Sequence, residues 1–244
     1  DDLLRQEQSE QMRRRFIANV SHDFKTPLTL IISYAEALRD SENMDEKTRQ
    51  EYTNIIMEEG DRLSGLVKSL LELSRLESGT VQLQRSIFSI SEMLKETVHK
   101  YQILLQKNNI TVCTDFDNSL IVYADYEKIE RAASNLFENA IKYSGKDGQI
   151  RLSSVREGDL CVVRIFNSGG QIAQEDLENI FVSFYRGDKA RAREGMQSYG
   201  IGLAIVKAIM DMHGQHYGVR NVQDGVEFWF SLRLANMDEE PEKE

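Results

Sequence analysis

Residues 16–28 read Phe16-Ile17-Ala18-Asn19-Val20-Ser21-His22-Asp23-Phe24-Lys25-Thr26-Pro27-Leu28, and the way this stretch sits in a helix decides the organisation of the first third of the chain. Phe16, Val20, Phe24, Leu28, Ile31, Ala35 and Leu38 recur at three- and four-residue spacing, inside an arc of about 120° at 100° per residue. After the polar stretch 40–47, a second helical pattern carries Tyr52, Ile55, Ile56, Glu59, Leu63, Leu66, Leu70 and Leu73 in the same manner. Together they predict a helical hairpin that ends at the turn-like Glu77-Ser78-Gly79. Two helices each bury only one side against the other. Pairing of two hairpins into a four-helix bundle, and hence a homodimer, answers that shortage of core.

His22 departs from the stripe. It falls roughly 160° from Val20 and so points outward. Asp23 follows it, Thr26 stands one turn on at i+4, and Pro27 removes the backbone donor that would bond the carbonyl of Asp23. An imidazole has a pKa near 6.5 in water, so a ring nitrogen is free to attack phosphorus at neutral pH. A neighbouring carboxylate can hold the proton of the other nitrogen and stabilise the cation that forms.

The 244 residues carry a net charge of −10, which excludes a broad nucleic-acid-binding face, since that needs a clustered positive field. Cys113 and Cys161 form neither a disulfide framework nor a metal pattern and read as reduced core thiols. No run approaches the roughly 18 apolar residues of a membrane span. The chain therefore reads as cytoplasmic, and its start on an amphipathic segment, residues 3–15, leaves open an upstream segment through which the full-length protein is expected to be anchored in the cell membrane. Beyond residue 79 a helical run at 91–107 alternates with β-rich runs at 110–116, 149–155, 160–166 and 226–234, which predicts a second domain of mixed α and β structure. His213 and His216 flank Gly214 at an apparent helix end, which suits a cap better than a metal pair.

Residues 16–28 resemble the H box of the sensor histidine kinases of two-component systems, which often have Glu where Asp23 stands and Leu-Arg where Phe24-Lys25 stand. The resemblance implies that His22 is the phospho-acceptor, Asp23 its acid/base partner, and Thr26 the residue that positions water when a partner is dephosphorylated. Asn135-Leu136-Phe137-Glu138-Asn139-Ala140-Ile141-Lys142-Tyr143 places Asn135, Asn139 and Lys142 on one helical face, where an amide oxygen can complete a Mg²⁺ shell and a lysine can offset phosphate charge. It is similar to the family's N box, so Asn139 is implied as the Mg²⁺ ligand and Tyr143 as an adenine contact. Asn167-Ser168-Gly169-Gly170-Gln171-Ile172 resembles the first glycine box, with Asn167 in place of the usual Asp that accepts from the adenine amino group. Gln171 replaces the second glycine, so a left-handed backbone there is expected to be strained or absent. Residues Ile180 to Arg186 resemble the F box, which adds Phe181 and Arg186. Stretch 187–198 has the charge and length of an ATP lid, with Lys189, Arg191 and Arg193 as further phosphate candidates. Gly200-Ile201-Gly202-Leu203 resembles the second glycine box, opening a helix whose N–H groups can receive phosphate; Ser198 stands where a third glycine is common.

The implied fold is a helical hairpin forming a dimeric four-helix bundle, followed by an ATP-binding domain of the superfamily that includes gyrase and MutL, a mixed sheet packed on helices. The expected boundaries are a helical linker over 1–15, the dimerisation and phospho-acceptor domain over 16–78, the catalytic domain over 86–235 and an acidic tail over 236–244. The implied function is autophosphorylation of His22 from ATP and Mg²⁺, phosphotransfer to an aspartate of a response regulator, and phosphatase activity on that regulator. Residues 78–86 would then permit a large swing. The alternatives, motivated by Asn167 and Gln171, are a kinase-impaired regulator phosphatase and a nucleotide-binding dimerisation scaffold.

Overall fold

A computed structural model describes residues 2–41, 43–185 and 200–235, with side chains from residue 17 onward. The chain divides into two compact units, Asp1–Glu72 and Leu73–Glu244. Stretch 187–198 and the acidic tail lie outside the described residues.

In the first unit, helix α1 (Asp2–Asp40) runs through Pro27 without interruption, and α2 (Glu46–Glu77) returns after a short connection. Asp45 starts α2 because its carboxylate accepts from the N–H and the hydroxyl of Thr48, at 3.0 and 2.7 Å, an N-cap arrangement. Tyr34 and Tyr52 meet edge to face with ring centroids 4.8 Å apart, which sets the antiparallel register. The shielded side of α1 includes Val20, Asp23, Phe24, Pro27, Leu30, Ile31, Tyr34 and Leu38. The stripe expected from the sequence is thus corrected in part, since Leu28 and Ala35 are exposed. The cause is width: the apolar arc of α1 is broader than one partner helix can cover. Ile17, Leu28 and Ile32 of α1 and Met57, Val67 and Leu71 of α2 remain exposed in the single chain.

The second unit begins with β1 (Arg85–Ser89), α3 (Ile90–Lys100), α4 (Gln102–Lys107), β2 (Thr111–Phe116) and β3 (Ile121–Asp125). It continues through α5 (Tyr126–Ser144), β4 (Gln149–Glu157), β5 (Leu160–Ser168), α6 (Gly202–His213), β6 (Tyr217–Val222) and β7 (Gly225–Arg233). Strands β1 and β3 form an antiparallel ribbon, and the main sheet runs in the order β2-β4-β5-β7-β6. Its β2–β4 pair is parallel and its other pairs are antiparallel. Helix α5 buries Ile129, Ala132, Ala133, Leu136, Phe137, Ala140 and Ile141, the side that packs on β5 and on α6. Strand β5 is buried on both faces, which is why its run 160–166 reads as nearly continuous hydrophobic sequence.

Three expectations change. The helical run 91–107 is two helices broken at Tyr101, whose ring packs on Phe137 at 5.6 Å and whose hydroxyl donates to Glu138. Cys113 is exposed on the edge strand β2, whereas Cys161 is buried and its thiol is pushed up to about 12 by that burial. Strands β1, β3 and β6 had no counterpart among the β-rich runs read from the sequence. Among the described residues no helix is long and apolar enough to cross a membrane.

Candidate functional site

His22 stands on α1 with its side chain 80% exposed, while the neighbouring Asp23 side chain keeps only 13% of its surface open. Nδ1 of the imidazole lies 3.5 Å from Asp23 Oδ1. A proton on Nδ1 would face the carboxylate, and Nε2 would then carry the lone pair. Thr26 Oγ1 is 3.4 Å from the His22 carbonyl oxygen, one turn along the helix. All three residues occupy one surface turn, which ends where the ring of Pro27 is buried.

The second cluster is assembled from distant segments. Asp125 caps α5 by accepting from the Lys128 N–H at 3.1 Å, and the helix then carries Asn135, Asn139, Lys142 and Tyr143 toward its C-terminal end. Asn135 is buried, its Nδ2 has no hydrogen-bond partner among the described residues, and its Oδ1 would lie 3.6 Å from a Cβ placed on Gly202. The N-terminus of α6 therefore rests on the N-box helix. Asn139 and Lys142 are half-buried, and the Lys142 ammonium lies 5.2 Å from the Tyr143 ring centroid.

Asn167, at the end of β5, is 2% exposed. Its Nδ2 donates to the Ser168 carbonyl at 3.1 Å, and its Oδ1 has no partner among the described residues. The donor thus fixes the amide orientation, and a buried acceptor is left over. An unpaired buried amide oxygen costs about 1 to 3 kcal/mol, which a ligand N–H in that place would recover. Gly169 has φ +132°, and a Cβ there would approach the Tyr143 carbonyl oxygen to 2.6 Å. Only glycine lets the two segments close up. Gln171 is not among the residues with positive φ, so no left-handed turn is built there. Its Nε2 instead donates to the Val222 carbonyl at 3.1 Å.

Asn221 is a residue that the sequence reading missed. It accepts from the Ile172 N–H at 2.9 Å and donates to the Ile172 carbonyl at 2.8 Å, clamping the loop after the first glycine box. Only the recognition of β6 as a strand could have pointed to it. Phe181 is turned inward, packing edge to face on Tyr217 at 4.8 Å. The stretch 186–199 springs from a closed base: the Phe184 N–H donates to the Gly200 carbonyl at 2.9 Å. Both residues have positive φ, 62° and 66°. Arg186, Lys189, Arg191, Arg193 and Ser198 lie outside the described residues. Helix α6 starts after buried Ile201 without a side-chain cap. The first-turn amides of Gly202, Leu203 and Ala204 consequently have no intrahelical acceptor and suit a phosphate. At the other end Gly214 caps α6 in the left-handed conformation. His213 Nδ1 donates to the Ile209 carbonyl at 2.8 Å, and its Nε2 accepts from the Asp125 N–H at 3.1 Å. Both ring nitrogens serve the fold.

Comparison with known proteins identifies the two domains. Residues 12–79 match the His Kinase A (phospho-acceptor) domain, and residues 124–236 match the histidine kinase-, DNA gyrase B- and HSP90-like ATPase. The chain is 34% identical over 217 residues to the sensor histidine kinase WalK of Bacillus subtilis, covering 87% of this chain and 35% of that protein. It is 34% identical over 240 residues to the sensor-like histidine kinase SenX3 of Mycobacterium tuberculosis, covering 96% of this chain and 58% of that one. The chain thus spans about a third to just over half of these relatives' length. Among solved structures, histidine kinase ThkA, crystallised in complex with the response regulator protein TrrA, superposes with a TM-score of 0.74 at 29% identity. That match covers 100% of this chain and 69% of ThkA. With an outward histidine backed by a shielded carboxylate in the one domain, and a glycine-lined cradle between α5 and α6 in the other, this chain belongs to the sensor histidine kinases.

Proposed function

We propose that this chain moves the γ-phosphoryl group of ATP onto Nε2 of His22 and hands it on to an aspartate of a response regulator. The observation that carries the reading is the exposed imidazole with Asp23 on its Nδ1 side. Nε2 attacks phosphorus in line, the P–N bond forms as the bond from phosphorus to the β–γ bridging oxygen breaks, and ADP leaves. Asp23 holds the Nδ1 proton as the ring becomes cationic and accepts it afterwards.

The ATP cradle is read in the same terms. Asn167 Oδ1 accepts from the adenine amino group, Tyr143 lies against the base, and Gly169 and Ile172 shape the floor. Gly200, Ile201, Gly202 and Leu203 offer the phosphates the open end of α6, and Lys142 and Arg186 add positive charge. Asn135 supports that helix end, and Phe181 holds the base of the lid from within. Asn139 is the side-chain oxygen that would hold Mg²⁺, an ion that neutralises charge between phosphates and completes its shell with phosphate and water oxygens. The unsatisfied Oδ1 of Asn167 and the lack of a left-handed turn at Gln171 both fit a working cradle. They favour the kinase over the impaired-kinase alternative.

The apolar face left open on the hairpin supports a homodimer through a four-helix bundle. In the same reading Thr26 orients water when the bundle dephosphorylates its regulator, and an upstream segment anchors the whole protein in the membrane.

Incubation with γ-³²P-labelled ATP and Mg²⁺ tests the proposal. Acid-labile label that is absent from His22→Gln and strongly reduced in Asn139→Ala is the expected result. Label retained in His22→Gln, or none in the unaltered chain, would overturn it.

A further inference from the structure

One residue of the α2 stripe stands out. Glu59 occupies a seam position between Ile56 and Leu63 and is only 7% exposed. Its Oε1 accepts from Arg62 Nη1 at 2.6 Å. Its Oε2 is buried without a hydrogen-bond partner among the described residues. A carboxylate in an apolar seam carries a desolvation penalty that a single bond offsets incompletely, so its placement calls for a reason beyond packing.

The antiparallel register supplies one. Tyr34 lies against Tyr52, and counting back along α1 while counting forward along α2 brings Glu59 level with Pro27 and Arg62 level with Asp23 and Phe24. Asp23 lies on the shielded side of α1, between Val20 and Pro27, with 13% of its side chain open. Two shielded carboxylates, Asp23 and Glu59, therefore sit on facing helices within one turn of each other. Arg62, with 35% of its side chain exposed, is a cation at that level. Its fork can serve two acceptors at once, which a lysine ammonium does with less directional control. Pro27 also withdraws the N–H from the Asp23 carbonyl, leaving a second acceptor on the same turn.

We propose that Glu59 and Arg62 are positioning residues for the reaction at His22. Glu59 orients the guanidinium, the guanidinium holds Asp23, and Asp23 keeps the imidazole proton on Nδ1 so that Nε2 stays the nucleophile. This rests on the phosphoryl transfer proposed above. Both act through Asp23 and not on ATP, so their effect falls on turnover and not on nucleotide affinity.

The test compares Arg62→Met, Arg62→Lys, Glu59→Gln and the unaltered chain, all checked for helical content and oligomeric state. Autophosphorylation is measured as kcat and as KM for ATP, and His22 is separately labelled with phosphoramidate, a chemical phosphoryl donor that bypasses the ATP domain. Expected is a fall in kcat of about tenfold or more in Arg62→Met, the scale on which misplaced reacting groups lower rates. KM should stay within about twofold, with partial rescue in Arg62→Lys, a smaller loss in Glu59→Gln and a parallel loss of phosphoramidate labelling. Unchanged kcat in a folded Arg62→Met, or equal changes in kcat and KM, would overturn the proposal. If Arg62→Met does not fold, Arg62→Lys and Glu59→Gln decide by the same split. If ATP labels no version but phosphoramidate labelling still depends on Arg62, the kinase reading fails while the positioning role stands.

Discussion

In the ATP-binding unit the apolar side of α5 is covered by the chain's own sheet together with α6 and α3, with Ile129, Leu136 and Phe137 out of contact with solvent. In the phospho-acceptor hairpin Ile17 and Ile32 of α1 and Met57 and Leu71 of α2 remain exposed. The difference lies in layering. A helix on a five-stranded sheet finds a surface broad enough for its whole apolar arc, whereas a helix facing a single helix does not. The ATP-binding unit can therefore close its core within one copy. The hairpin depends on a further surface, and its stability should vary with protein concentration. The proposed chemistry is divided in parallel: the proposed acceptor is a local motif on one turn of an exposed helix, and the proposed cradle is gathered from four separated segments.

Substitutions can break this contrast from either side. The largest effect expected is from Phe137→Ala, which opens a cavity under Tyr101 and should destabilise the ATP-binding unit by about 4 kcal/mol. Differential scanning calorimetry should show that transition shifting while the hairpin's dimerisation, followed by sedimentation, stays as it was. A loss of dimer in the same variant would mean the two units do not keep separate cores. Next, Leu71→Glu places a carboxylate in the open face and should weaken the dimer by roughly 2 to 3 kcal/mol. Nucleotide binding by the other unit should be untouched. An unaltered sedimentation profile would show that Leu71 lies outside the contact.

Asn167→Ala removes the buried acceptor and should weaken ATP binding about tenfold, or ~1.4 kcal/mol, by isothermal calorimetry. Equal affinity would mean that Oδ1 is not the adenine contact. The smallest effect concerns pH. Burial lowers the pKa of His213, and nearby Arg85 lowers it further, against the opposing pull of its bond to Ile209 and the charge of Asp125. The unfolded chain then binds the proton more readily. The stability contributed by neutral His213 is complete above pH ~6.5 and is lost progressively as the pH falls below that toward the folded-state value. Thermal melts at neutral and mildly acidic pH should show the ATP-binding unit losing stability, and His213→Gln should flatten that slope. An equal slope in the variant would assign the acid sensitivity to other groups.

Periodicity made the hairpin readable because a helix writes its buried face into spacing along a single segment. The long strands β4, β5 and β7 were readable for the same reason. The short strands β1, β3 and β6 were not, although β2, also six residues long, was. Cys113 was misplaced because a strand-like run does not say whether it lies at the centre or the edge of a sheet. Glu59 was legible as a member of the α2 stripe. That it is a carboxylate held in the seam by Arg62 required the fold.

The sequence by itself determined that His22 points away from the helix seam, because that follows from spacing along one segment, and its resemblance to the sensor histidine kinases marked the residues proposed as phospho-acceptor and nucleotide cradle. Tertiary structure alone decided that Asp23 turns inward toward α2 and that Asn167 keeps an oxygen, not a nitrogen, unpaired. It also decided that Asn221 clamps Ile172 and that Asp125 at the start of α5 meets His213 at the end of α6. Those facts depend on hydrogen bonds between residues far apart in the chain, whose geometry exists only once the helices and the sheet have packed.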